Sequence, residues 1–154
     1  MKAKRIVFTL AVCICGAVVC FAQNAYMGTW KLNEAKSKLA PGAPKNETVV
    51  YEAAGDSVKV TIDGTDSSGK PTHNEWTGKY DGKDYPVTGD PGSDSRSLTK
   101  IDDRTLGFNV KKAGKTTATG RIVVAADGKS RTVTINGTDP TGKKVSSTAV
   151  YDKQ

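Results

Sequence analysis

The run Val58-Lys59-Val60-Thr61-Ile62-Asp63-Gly64-Thr65-Asp66-Ser67-Ser68-Gly69-Lys70 joins an alternating segment to a turn. Val58, Val60 and Ile62 point one way. Lys59, Thr61 and Asp63 point the other. Period two with one polar face is the pattern of a half-buried antiparallel strand. The tetrad Asp66-Ser67-Ser68-Gly69 then carries turn chemistry. The Asp side chain accepts from backbone N–H groups two residues on, and the final Gly takes a positive φ. A near copy recurs as Arg131-Thr132-Val133-Thr134-Ile135-Asn136-Gly137-Thr138-Asp139-Pro140-Thr141-Gly142-Lys143.

Two similar acidic heptads, Gly64–Lys70 and Gly137–Lys143, raise the question of an ion site. Calcium takes about six to eight oxygens. The first copy brings Asp63 and Asp66. The second brings only Asp139, with Asn136 in place of the other acid, and neither has a distal Glu. A phosphate cradle needs a helix after its glycine, and strand-forming residues follow here. Both heptads are therefore expected to be hairpin corners, and no metal site is expected.

The pattern extends along the chain. Ala54-Gly55-Asp56, Asp81-Gly82, Asp90-Pro91-Gly92, Asp102-Asp103-Arg104, Ala113-Gly114 and Asp127-Gly128 separate short runs rich in Val, Ile, Thr and Tyr. Leu106, Phe108 and Val110 share a face, as do Val133 and Ile135. Short connections make consecutive strands hairpin neighbours. The expected fold is all-β, an antiparallel up-and-down meander of about eight to ten strands. Closure into a barrel removes its two exposed edges. One helical turn or two is expected between Asn33, a capping residue, and Leu39, before Pro41-Gly42-Ala43-Pro44.

The beginning reads differently. Lys2, Lys4 and Arg5 precede an apolar run, Ile6 to Val19, and small residues at Cys20 and Ala22 stand before Gln23. This is the form of a secretory signal peptide. Residues 1–22 are expected to be removed, leaving a single barrel domain over 23–154 that is periplasmic or extracellular. The run is short of the roughly 20 apolar residues of a membrane span, so no transmembrane segment is expected. Cys13, Cys15 and Cys20 all precede the cut, so the exported chain has no thiolate and no disulfide.

The full chain has 23 Lys and Arg against 16 Asp and Glu, a net +7. Three of those positive charges belong to the leader, which leaves +4. The rest alternate with acids along the chain. Nucleic-acid binding needs clustered cations and is not expected.

At the start of the exported chain stands Gly28-Thr29-Trp30-Lys31-Leu32, and at its end Thr148-Ala149-Val150-Tyr151-Asp152-Lys153. Gly-x-Trp on a first strand resembles the calycin group, the lipocalins and fatty-acid-binding proteins. GTWKL resembles the fatty-acid-binding branch, and segments of the middle resemble lipocalin-like exported bacterial proteins. The resemblance implies a Trp30 that packs across the closed end of a barrel. It also implies a ligand-binding Tyr at position 151. Ala149 stands where that branch has its carboxylate-binding Arg, a departure from the pattern.

Chemistry-bearing residues are sparse. His73 is the single histidine, and with Glu75 it shares one face of a strand. A metal needs three or more protein ligands. No Gly-x-Ser-x-Gly accompanies the histidine. A solvent-facing polar pair is the expectation, with no catalytic residue and no cofactor. Trp76 and Tyr80 lie on the opposite face, and Tyr85 follows the next corner. These aromatics suit either a ligand wall at a barrel mouth or ordinary core. Arg96 shares a face with Leu98 and Lys100, and Arg121 with Thr119 and Val123. An inward arginine in a barrel requires an acid or an anionic ligand.

The reading is non-enzymatic binding of a small apolar or aromatic molecule, with Trp76, Tyr80, Tyr85, Phe108, Arg121 and Tyr151 as ligand-binding candidates. The alternative is a structural or inhibitory protein whose exposed loops engage a protein or glycan. A cavity of about 300 Å³ or more beside Trp76, Tyr80 or Phe108 favours the first.

Overall fold

The computed structural model describes residues 24–138 and 142–154. The expected leader lies outside the described residues, as do three residues of the second heptad corner. Ten strands follow one another: β1 (Gly28–Leu32), β2 (Lys45–Ala54), β3 (Ser57–Thr65), β4 (Pro71–Gly78), β5 (Tyr85–Thr88), β6 (Ser95–Lys100), β7 (Thr105–Lys112), β8 (Lys115–Val124), β9 (Ser130–Thr138) and β10 (Lys144–Lys153). Each pairs antiparallel with its neighbours in sequence, and β1 pairs with β10 to close the barrel. Closure leaves no edge strand with unpaired backbone groups.

The alternating runs land as their periodicity requires. Val49 on β2 stands across from Ile62, Tyr51 from Val60, and Val60 from Trp76 on β4. On the far side Leu106, Ile122, Val133 and Ala149 form another cross-strand row. All these side chains are buried. Their outward neighbours form exposed ion pairs, including Lys59 with Glu75, Lys111 with Asp84 and Lys79 with Asp56. Such surface pairs are worth little individually.

The first heptad is a hairpin corner. The Asp66 carboxylate accepts from the Ser68 and Lys70 backbone N–H groups at 2.8 and 3.0 Å, and from the Ser68 hydroxyl. These donors hold its carboxyl below the usual carboxylate range. Gly69 takes φ +82°, and Gly142 in the second copy φ +86°. The helical expectation contracts to a single 3-10 turn, Glu34–Lys36, capped by Asn33. Beyond it the chain is extended, because Lys38 and Thr148 exchange backbone hydrogen bonds at 2.7 and 2.8 Å. Sheet pairing with β10 outcompetes a second helical turn.

The two ends of the barrel differ. One end carries the β2–β3, β4–β5, β6–β7 and β8–β9 connections together with the start of β1. Tyr26, 2 % exposed, plugs it. Its carbonyl accepts from Trp30 Nε1 at 2.8 Å, its hydroxyl donates to the Asp102 carbonyl, and Tyr80 meets its ring edge-on at 5.8 Å. Beneath this plug the Arg131 guanidinium lies 4.8 to 5.0 Å from the rings of Trp30, Tyr51 and Tyr151. At the other end, which we call the mouth, the interior positions are only half-buried. Arg96, Phe108, Val110, Ala118 and Ile135 are among them.

Candidate functional site at the barrel mouth

Register settles which arginines face inward. Arg96 stands across from Tyr85 on one side and Val110 on the other. It therefore shares the interior face with Leu98. Arg121 stands between Gly107 and Thr134 on the outer wall and is exposed. Burial pulls the Arg96 guanidinium below its ordinary value, opposed by the fields of Tyr51 and Asp90. Among the described residues no carboxylate or carbonyl accepts a hydrogen bond from it.

Trp76 is 1 % exposed and fixed from two sides. Its Nε1 donates to the Arg96 carbonyl at 2.8 Å, and Tyr85 meets it edge-on at 5.9 Å. Gly78 makes that approach possible, because a Cβ there would stand 2.5 Å from Trp76 Cζ2 and 2.6 Å from Tyr85 Cδ2. The Tyr85 hydroxyl donates to Asp81 at 3.0 Å. Two residues earlier on β4, Asn74 faces inward, and its Oδ1 is buried with no hydrogen-bond donor. Phe108 packs its ring over Gly120, its cross-strand partner on the adjacent strand β8.

The six candidate residues therefore separate. Trp76, Tyr85 and Phe108 lie on the interior wall, with Trp76 and Tyr85 on either side of the β4–β5 connection. Tyr80 belongs to the plugged end, packed on Tyr26. Tyr151 is also interior but closer to the plug. Its hydroxyl donates to the Asn46 carbonyl at 2.9 Å, and burial pushes its phenol up to about 12. Arg121 is remote from all of these, on the outside. Arg96 and Arg131 are the interior cations. Alternation alone could place Arg96 on either face, whereas Val133 and Ile135, sharing a face with Arg131 by alternation, were a signal that Arg131 faces inward.

Two surface concavities, of about 440 and 410 Å³, lie on the outer wall between β6 and β10. Phe108 and Arg121 line the first, and neither is lined by Trp76 or Tyr80. The plugged half of the barrel is filled by Tyr26, Trp30, Leu106 and Val124, each at 2 % exposure or less. On the outer face of β3 and β4, His73 Nδ1 lies 2.6 Å from Asp63 Oδ1, and its Nε2 lies 3.9 Å from Glu75. The pair expected to face solvent does so, with Asp63 added across the strand.

The chain is thus a closed, ten-stranded antiparallel barrel with one plugged end. No protein-family model matches it, and no curated protein does. Among solved structures, EF1p2_mFAP2b bound to DFHBI is similar at a TM-score of 0.47 and 11 % identity, covering 84 % of this chain and 94 % of that one. A redesigned beta barrel, mFAP1, bound to DFHBI, is similar at 0.44 and 16 % identity, covering 84 % and 95 %.

Proposed function

We propose that this chain is an exported, calycin-like barrel that binds a small molecule without transforming it, and that the ligand enters at the mouth. The observation that carries the reading is Arg96, an inward cation with no acceptor among the described residues. A desolvated guanidinium is costly unless an anion meets it. Trp76, Tyr85 and Phe108 supply apolar surface around it, and Asn74 an unused amide oxygen. These groups suit a compact aromatic or apolar body with one acidic substituent. The filled plugged half keeps that body small. On the strands, interior-facing groups among the described residues include no carboxylate or imidazole to act as a base, which supports binding over catalysis.

Export is part of the proposal and rests on the charged, apolar and small-residue order of positions 2–22. Intact-mass measurement of the exported protein is expected to place its first residue at Gln23. The binding test is native mass spectrometry of the protein from its own host, followed by thermal shift with small aromatic carboxylates. A ligand that raises the unfolding temperature is expected to lose that effect in Arg96→Met. A shift that survives the substitution, or no shift with any compound, would count against the mouth.

A second reading is favoured by the concavities of the outer wall. They offer polar surface outside the barrel, which suits a larger partner met without opening the sheet.

A further inference from the structure

The outer wall of β6 to β10 is organised in cross-strand rows. One row runs Thr99, Gly107, Arg121, Thr134 and Thr148. The row beside it runs Ser97, Asn109, Thr119, Asn136 and Ser146, of which Ser97 is buried and the other four reach the surface. Adjacent strands lie about 4.8 Å apart, so each row presents a polar group at a short regular step. Gly107 interrupts the first row. With no side chain there, the wall sinks into the concavity of about 440 Å³, and the second, of about 410 Å³, shares Thr119 and Asn136 with it. Together they form a trough along the barrel.

The chemistry of the trough is narrow. Its working groups are hydroxyls, amides, the Arg121 guanidinium and the Lys144 ammonium. Arg121, Thr119, Thr134 and Asn136 make no side-chain hydrogen bond or ion pair among the described residues, so their capacity is unspent. No carboxylate lines either concavity, which disfavours a metal or a cationic ligand. One arginine and one lysine are too little charge for a nucleic-acid backbone, where affinity comes from several neutralised phosphates. Two exposed aliphatic side chains stand at one end. Val123 is 43 % exposed and Ile101 50 %. Ile101 Cδ1 reaches within 3.4 Å of where a Gly107 Cβ would stand. They offer apolar surface to the C–H face of a sugar ring.

We infer that this trough binds an extended acidic oligosaccharide, with a uronate-type carboxylate on Arg121 and ring hydroxyls on Asn109, Thr119, Thr134 and Asn136. Guanidinium and carboxylate pair bidentately, and the amides each offer a donor and an acceptor to vicinal hydroxyls. The trough is open and shallow, as an extended chain requires. The inference does not depend on the mouth, which lies on the other face of the sheet.

Isothermal titration of the exported chain tests it with hexagalacturonate as the acidic probe and cellohexaose as the neutral one. The acidic hexamer is expected to bind at least fivefold more tightly than the neutral one. Arg121→Ala is expected to weaken that binding about tenfold, the loss of one bidentate charged pair. Asn136→Ala should weaken it by a smaller factor. Lys59→Ala, on the distant wall of β3, removes the same charge and should leave affinity unchanged. All three positions lie on the outer wall, so folding is not at stake. Absence of heat with either hexamer would overturn the inference. So would equal affinity for both hexamers, or an equal loss in Lys59→Ala, which would mark mere attraction between a basic protein and a polyanion.

Discussion

Trp30 has no exposed surface, and its indole is held by the Tyr26 carbonyl on one edge and Arg131 on one face. Trp30→Ala is therefore expected to cost roughly 3–5 kcal/mol, the range for truncating a core aromatic, read from the denaturant midpoint. A midpoint that hardly moves would mean the plugged end is not a core. Three rings surround the Arg131 guanidinium in that core, although Nε and Nη1 find no acceptor. Cation–π attraction is strongest when desolvated, about 2 kcal/mol or more. Arg96 has no such cage. Arg96→Met is expected to stabilise the ligand-free protein by about 1 kcal/mol, because replacing an unpaired, half-buried charge by an apolar chain removes part of a desolvation penalty. Lower stability in that variant would argue that the guanidinium has an intramolecular partner. The tyrosines set a pH dependence. Burial raises the Tyr151 phenol from 10.0 to about 12, the Arg131 field opposing it, and burial raises Tyr26 and Tyr80 in the same direction. The folded state then holds a proton that the unfolded state releases. The contribution is complete below about pH 10 and is lost as pH rises toward 12, at about 1.4 kcal/mol per pH unit for Tyr151. Denaturation at graded alkaline pH should show this slope, and Tyr151→Phe should reduce it.

At the scale of elements, the corners carry the sharpest expectations. Gly69 has φ +82° with nothing within 4 Å of an added Cβ. Gly69→Ala should then cost about 1 kcal/mol from backbone strain alone. Calcium should leave the unfolding temperature unchanged, since an ion bound only by the folded state would raise it. A rise abolished by Asp66→Ala would make the corner an ion site. The β7–β8 corner is strained in the opposite sense. Ala113 takes φ +49° before Gly114 at φ +73°, the left-handed pair of a two-residue hairpin. Its N–H donates to Asp94 at 2.7 Å. Ala113→Asn retains that bond and tolerates the conformation, so a gain of about 0.5–1 kcal/mol is expected in thermal or chemical denaturation. The turn chemistry was legible because it is local. Asp, Asn and Gly act on backbone atoms within four residues, and no distant contact has to be known.

Across the whole molecule the barrel wall is uneven. β9 and β10 are in register from Lys144 opposite Thr138 to Asp152 opposite Ser130. The short β5 has only Glu75 opposite Thr88 and Trp76 opposite Val87 on one side, and Tyr85 opposite Arg96 and Pro86 opposite Ser95 on the other. This seam is braced by Trp76 reaching past it to the Arg96 carbonyl. Hydrogen exchange should find the β5 amides the least protected of the ten strands, because few ladder bonds must break to expose them. Trp76→Phe, which keeps the ring but removes the indole donor, should lower protection there further. Equal protection around the barrel would deny the seam.

Strand identity, a count of about eight to ten strands and the expectation of closure followed from periodicity two, from corner residues at short spacing, and from the need to hide two sheet edges. These properties depend on each residue and its near neighbours, and the sequence by itself determined them. The aromatic plug was partly legible through Gly28-Thr29-Trp30. The single helical turn was not, because Lys38 trades helix for pairing with Thr148, a partner 110 positions away in the chain. The division between Arg96 inside and Arg121 outside also waited for tertiary structure. Both sit in alternating strands, and only register against Tyr85, Val110, Gly107 and Thr134 decides the face. The same holds for Arg131, whose three rings come from β1, β2 and β10, and for the trough, whose groups come from five strands. A pattern along one strand sets which residues share a side. Which side becomes the interior, and what meets there, is decided by neighbours across the sheet.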